Sequence, residues 1–141
     1  MSFAILDTNH LREFVGGSVA GSHLKKRIQD ESADVFTCIV VVEESLQGWM
    51  ALLNRERPGP AQVGTYGRML ATLDGAMKLG VLPFDDEAAE VFSALRAEFP
   101  RRGTMDLKIA ATCLVHDALL LTRNVGDFRE IPGLRFENWL D

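Results

Sequence analysis

Acidic residues recur where apolar elements of this chain begin or end. Asp7 follows "FAIL", Glu43 and Glu44 follow "FTCIVVV", Asp106 stands just behind "RRGT", and Asp127 lies just beyond "ALLLT". In a parallel sheet the segments after each strand meet along one edge, and α/β folds place their ligands there. Three or four carboxylates gathered at that edge would repel one another and hold their protons more tightly unless a cation intervened. Oxygen donors without His or Cys suit Mg²⁺ or Mn²⁺, which keep some of their waters. Such an ion activates water and neutralises phosphate charge, so the chemistry that fits is phosphodiester hydrolysis. Each acid also has a plainer use. Asp7 could start a turn, Glu43 or Glu44 could serve a helix N-terminus, Asp106 could complement its helix dipole, and Asp127 could turn with Gly126. Only their common place at one edge makes a shared site.

Other chemistries find less support. His10, His23 and His116 show no HxxxH spacing, and neither a Gly-x-Ser-x-Gly elbow nor a phosphate-binding glycine loop is present. His116 ends a helical pattern, where it suits the dipole. Trp49 and Trp139 read as core residues. Cys38 and Cys113 lie in apolar runs without metal-like spacing, as free thiols in a reducing cytoplasm would. The formal net charge of −5 argues weakly against a nucleic-acid partner, but four acids sharing one site would account for most of it.

The elements that must position these residues alternate. "FAIL" reads as a buried strand, "NHLREFV" as a helix, and "SVAGSHLKKRIQDES" as a second helix with Leu24 and Ile28 on its apolar side. "VFTCIVVV" (35–42) is rich in β-branched residues and reads as the second strand, running directly into the helix "EESLQGWMALLNRE". "RPGP" breaks the chain before a long helix from Ala61 to Leu79, with Leu70, Leu73 and Met77 along one side. "GVLPF" supplies a short strand, and "DDEAAEVFSALRAEF" a helix with an acidic first turn. Thr104 is placed to cap "MDLKIAATCLVH". "ALLLT" has the continuous apolar pattern of a strand covered on both faces, "RNVGDF" is a polar or single helical turn, and "GLRFENWL" holds an edge strand. At 141 residues, 47% hydrophobic and 25% charged, with no long linker and no apolar run of membrane length, the chain reads as one soluble domain over residues 1–141. Nothing at its N-terminus signals export. Strands alternating with helices imply a three-layer α/β/α sandwich around a central parallel sheet.

The ordered blocks "ILDTN", "VVEESLQGW", "TMDLKIAA" and "LLLTRNVGDF" closely resemble those of PIN-domain nucleases, especially the VapC-type ribonuclease toxins. The match runs from residue 4 to about Trp139, in the family's order and spacing. The resemblance implies an α/β/α fold and a cytoplasmic, Mg²⁺- or Mn²⁺-dependent endoribonuclease acting on RNA. It further implies a homodimer inhibited by a partner antitoxin, with no membrane attachment. It assigns Asp7, Glu44, Asp106 and Asp127 as the acidic quartet that binds metal and catalyses. Glu44 is preferred over Glu43 because it stands four before Gly48, as in the family's E-x-x-x-G. Asn9, Thr122 and Asn124 match polar positions that orient the acids or a metal-bound water. Among Lys25, Lys26, Arg27, Arg101, Arg102 and Arg123, the candidate for holding RNA phosphate is Arg123, beside the last acid block. Three other readings use the same acids without a nuclease. A receiver-like phosphoacceptor would place an acid pair after its first strand and a Lys after a late one, where this chain has "DTN" and "TRN". A phosphatase with an aspartate nucleophile would prefer D-x-D, where residue 9 is Asn. An acidic binding pocket without activity is the third.

Overall fold

The computed structural model describes residues 3–141. The chain opens on β1 (Phe3–Leu6), in which Ala4, Ile5 and Leu6 are wholly buried. It passes directly into α1 (Thr8–Gly16), for which Asp7 is the N-cap. The Asp7 carboxylate accepts the His10 main-chain N–H, a donor that a helix start leaves open. In α2 (Val19–Asp30) Ser18 plays the same part for the Gly21 N–H. Then come β2 (Asp34–Cys38) and α3 (Ile39–Arg55). A 3-10 turn over Pro60–Gln62 leads into α4 (Val63–Leu79), β3 (Val81–Leu82), α5 (Asp86–Glu98) and α6 (Thr104–Val115). The chain closes with β4 (Leu119–Leu121), the single helical turn α7 (Val125–Phe128) and β5 (Arg135–Glu137).

All four strand pairings are parallel, in the order β3-β2-β1-β4-β5. Leu6 lies level with Leu121, and Leu121 with Glu137, so the carboxyl ends of the three adjacent strands β1, β4 and β5 share one edge. The sheet is the middle of an α/β/α sandwich. Helices α1 to α4 pack among themselves, while α5 packs on α6 and α6 in turn meets α3 and α7. Ile5, Leu6, Leu107, Leu120 and Leu121 are among the largest wholly buried side chains, each contributing about 1.5–3 kcal/mol by leaving water. Cys38 and Cys113 are buried free thiols whose pKa values burial raises, Cys38 to about 11, so neither is a nucleophile. Among the described residues, no helix is long and apolar enough to cross a membrane.

Two local expectations need correction, and one apolar helix side lies outward. The second strand ends at Cys38, and "IVVV" forms the first turn of α3 instead of continuing the strand. Val40, Val41 and Val42 are buried there, which outweighs their modest preference for strands, and the helix formers that follow extend the turn. Glu44 therefore sits in the second turn of α3 and does not open the helix. On α4, the side bearing Leu70, Leu73 and Met77 faces solvent, at 68%, 36% and 72% exposure. The inward face carries Thr65, Thr72 and Ala76, with Gly75 so close to α1 that a Cβ would lie 2.5 Å from Val15 Cγ2. Small residues let the helix approach, and the large ones are left outside. Finally, Gly103 takes the N-cap position of α6, and Thr104 is its first helical residue, with its hydroxyl accepting from Arg96 at 3.2 Å.

Candidate active site

The Asp7 main-chain N–H donates to the Leu121 carbonyl at 3.0 Å, continuing the β1–β4 ladder one step past the strand. The position of Asp7 is thus set by the sheet and its side-chain direction by the helix it caps. Thr37, wholly buried at the end of β2, donates its hydroxyl to the Leu6 carbonyl at 3.1 Å and fixes the same corner from the other side. Asp7 is 5% exposed, the most enclosed acid of the site.

Glu44 is half-buried on α3, whereas Glu43 points to solvent. The Thr8 hydroxyl donates to Glu44 Oε1, joining the start of α1 to α3. Asp106, in the first turn of α6, is half-buried and lies against the Gly103 backbone, where a Cβ would come within 3.5 Å of its Oδ2. Asp127 is exposed on α7, and its N–H donates to the Asn124 carbonyl at 3.0 Å. Asp106 senses the other three carboxylates. Burial pushes the Asp106 carboxyl up to about 6, and Asp127, Glu44 and Asp7 add repulsion in that order, against a partial offset from Arg102.

None of the polar positions expected around the quartet hydrogen-bonds an acid's carboxylate directly. Asn9 accepts from Arg12 at 3.1 Å. Thr122 is wholly buried and its hydroxyl accepts the Asn124 main-chain N–H at 3.0 Å, ordering the turn that carries Asp127. Asn124 is exposed and caps α7 without a side-chain bond. Arg123 grips both oxygens of Asp141 at 3.3 Å. Asp141 is held below its ordinary pKa by the bond from Asn138 and then by Arg123. Arg102 is the basic residue acting on Asp106, although its guanidinium is already paired with Glu130 at 2.7 Å. Trp139 is buried as expected, but Trp49 lines a groove with Thr8, Arg12, Glu44, Gly48 and Arg55. That groove opens beside Glu44, and Asp7, Asp106 and Asp127 lie outside its lining. Thr8 and His10, the closest supports of the acids, escaped the sequence reading. The only signal for them was their place in the helical turn that Asp7 caps.

Among the described residues, no three His, Cys, Asp or Glu side chains converge closely enough to form a ready-made metal cage. The donor chemistry nevertheless fits a hard cation. All four groups are carboxylates, and Mg²⁺ is commonly held by one or two carboxylates with water completing its octahedron.

A five-stranded parallel sheet sandwiched by helices, with acids from four elements at its carboxyl edge, defines an α/β domain with an acidic edge site. The chain matches the PIN domain model over residues 4–134 and belongs to that family. It is 36% identical over 77 residues to a tRNA(fMet)-specific endonuclease VapC of Salmonella typhimurium, a stretch that covers 51% of this chain and 58% of that protein. It is 32% identical over 66 residues to Ribonuclease VapC2 of Rickettsia felis, covering 44% and 49% respectively. The matched stretch thus spans about half the length of these curated relatives. The whole fold is similar to that in a DNA-bound VapBC complex from Salmonella typhimurium, with TM-score 0.74 and 26% identity over 99% of both chains. A VapBC2 complex from Rickettsia felis, bound to a promoter DNA fragment, has the same fold at TM-score 0.75 and 20% identity, over 97% of this chain and 98% of that one.

Proposed function

We propose that this chain is a Mg²⁺- or Mn²⁺-dependent endoribonuclease, the toxin of a toxin–antitoxin pair working in the cytoplasm. One observation carries the reading: Asp106, raised to about 6 first by its burial, is raised further by repulsion from Asp127, Glu44 and Asp7, so carboxylates from α6, α7, α3 and the start of α1 share one site. Crowded acids destabilise a fold unless a cation compensates them, so their assembly makes sense as a cation site. Asp7, Glu44, Asp106 and Asp127 would hold the ion. Bound there, it would supply an activated water and neutralise charge on the scissile phosphate. The chain's own part is placement: the sheet edge and helix cap fix Asp7, Thr8 fixes Glu44, and the Thr122–Asn124 turn fixes Asp127. A phosphate contact by Arg123 would require RNA to displace Asp141 from its guanidinium. The relative described as tRNA(fMet)-specific makes tRNA the first substrate to test. The VapBC complexes among the structural neighbours make an antitoxin-type protein the expected partner, alongside a second copy of the chain.

The test is cleavage of a tRNA pool by the purified protein, with Mg²⁺, with Mn²⁺ and with chelator. Metal-dependent cleavage is expected, with activity lost in Asp7→Asn, severely reduced in Glu44→Gln and largely kept in Glu43→Gln. Adjacent helical residues point about 100° apart, so Glu43 and Glu44 do not serve one ion equally. Cleavage that persists in Asp7→Asn or in chelator would reject the reading.

A further inference from the structure

His10 has no solvent exposure, and each of its ring nitrogens has a partner. Nε2 receives the main-chain N–H of Trp139 at 3.2 Å, and Nδ1 lies 3.2 Å from Asp7 Oδ1. A main-chain N–H only donates, so Nε2 must carry the lone pair. The ring proton therefore sits on Nδ1, directed at the carboxylate. The His10 main-chain N–H donates to the same oxygen at 3.1 Å. One residue thus places two donors on Oδ1, and neither falls on Oδ2.

We infer that His10 is a positioning residue for Asp7: it pins Oδ1 so that Oδ2 is presented to the cation, and the C-terminal segment in turn pins His10 through Trp139. The inference rests on the metal-site reading above. Its chemistry is that of the outer partners of metal sites, which fix a ligand's orientation by hydrogen bonds to the atom not used for coordination. The hold on His10 is itself firm. Trp139 is buried, its Nε1 donates to Glu137 Oε1 at 3.2 Å, and the Arg27 guanidinium covers its ring at 4.8 Å. Glu137 belongs to β5, whose backbone also receives the Thr122 N–H at 2.9 Å. The last residues of the chain are thereby tied to the first acid of the site.

Two substitutions separate the two bonds. His10→Asn puts an amide where Nδ1 stood, keeping a donor for Asp7 and losing the acceptor for Trp139. His10→Gln reaches the Nε2 position, keeping the acceptor for Trp139 and losing the donor for Asp7. Mn²⁺ binding measured by titration calorimetry should be near wild type in His10→Asn and weakened by about tenfold or more in His10→Gln. Melting in chelator reports the structural cost of each change separately, and both should melt lower than wild type. A role in stability alone would move the melts and leave the two Mn²⁺ affinities equal, and that result overturns the inference. Wild-type protein that binds no Mn²⁺ would instead remove the metal site itself, and the inference with it. Should either variant fail to fold, the ring ¹⁵N shifts of metal-free wild type decide the matter. A proton on Nδ1 upholds the assignment, and a proton on Nε2 overturns it.

Discussion

The Asp106 carboxyl, pushed up to about 6 by burial and by Asp127, Glu44 and Asp7, links the site to stability. Its folded pKa lies above the unfolded value of about 3.9, so between those limits the native chain holds a proton that the unfolded chain has released. Without metal, stability is therefore highest at the acidic end of that window, falls as pH rises through it, and stays lower above pH 6. Asp106→Asn should flatten that slope in thermal melts run in chelator from pH 4 to 8. At pH 7.5 it should also melt a few degrees higher, about 1 kcal/mol once the shift is discounted for the half-exposed side chain. An unchanged slope would mean that neither burial nor the neighbouring acids raise Asp106 in the folded chain. At this scale the sequence exposes Asp7, Asp106 and Asp127 because each stands beside a readable strand or helix boundary, whereas Glu44 lies a turn inside α3. Their supports are hidden. Thr8 meets Glu44 across 36 positions, and His10 meets Trp139 across 129, so no local pattern marks either contact.

The elements were legible where burial and local preference agree. β1 and β4 are short apolar runs in the sheet interior, and α5 is announced by Asp85, which accepts the Ala88 N–H at 2.9 Å, and by acids in its first turn. They were illegible where a tertiary contact decides. The "IVVV" run reads as strand by composition, yet packing makes it helix, and α4 turns its small residues inward because α1 lies too close for large ones. Gly80, at φ 104° and with a would-be Cβ 2.9 Å from Phe36 Cδ1, is a further position that only the assembled sheet explains. The end of β2 offers a test at this scale. The β1–β2 pairing stops at Ile5 and Phe36, and the Thr37 hydroxyl then donates to the Leu6 carbonyl, just before Asp7. Thr37→Val keeps the shape and removes the donor, so the buried carbonyl loses a partner at a cost of about 1–3 kcal/mol. Denaturant unfolding should show that loss with an unchanged m-value. A Thr37→Val protein as stable as wild type would remove this bond from the account of how the corner is held.

Across the whole molecule, the fold leaves the outer face of α4 uncovered, and most of the exposed large apolar side chains among the described residues lie along it. Val63, Tyr66, Leu70, Leu73 and Met77 are 70%, 55%, 68%, 36% and 72% exposed, and their spacing alternates three and four. That spacing forms a straight apolar seam along one helix, the pattern by which two helices interlock side by side. A seam of one repeated kind is self-complementary, and a two-fold axis would lay α4 of one copy against α4 of another. The expected homodimer therefore has a natural face here, on the side of α4 opposite the buried residues Thr65, Thr72 and Ala76. Ion pairing within the helix suits the same arrangement: Lys78 meets Asp74 at 2.9 Å, leaving the seam free of charge. Light scattering at tens of micromolar should find the wild-type chain dimeric. Leu70→Glu combined with Met77→Glu places two charges in each half of the seam and should give monomers. Because these side chains are exposed in the single chain, the double variant should melt within a few degrees of wild type at low concentration. A wild-type monomer, or a double variant that remains dimeric, would show that α4 is not where two copies meet.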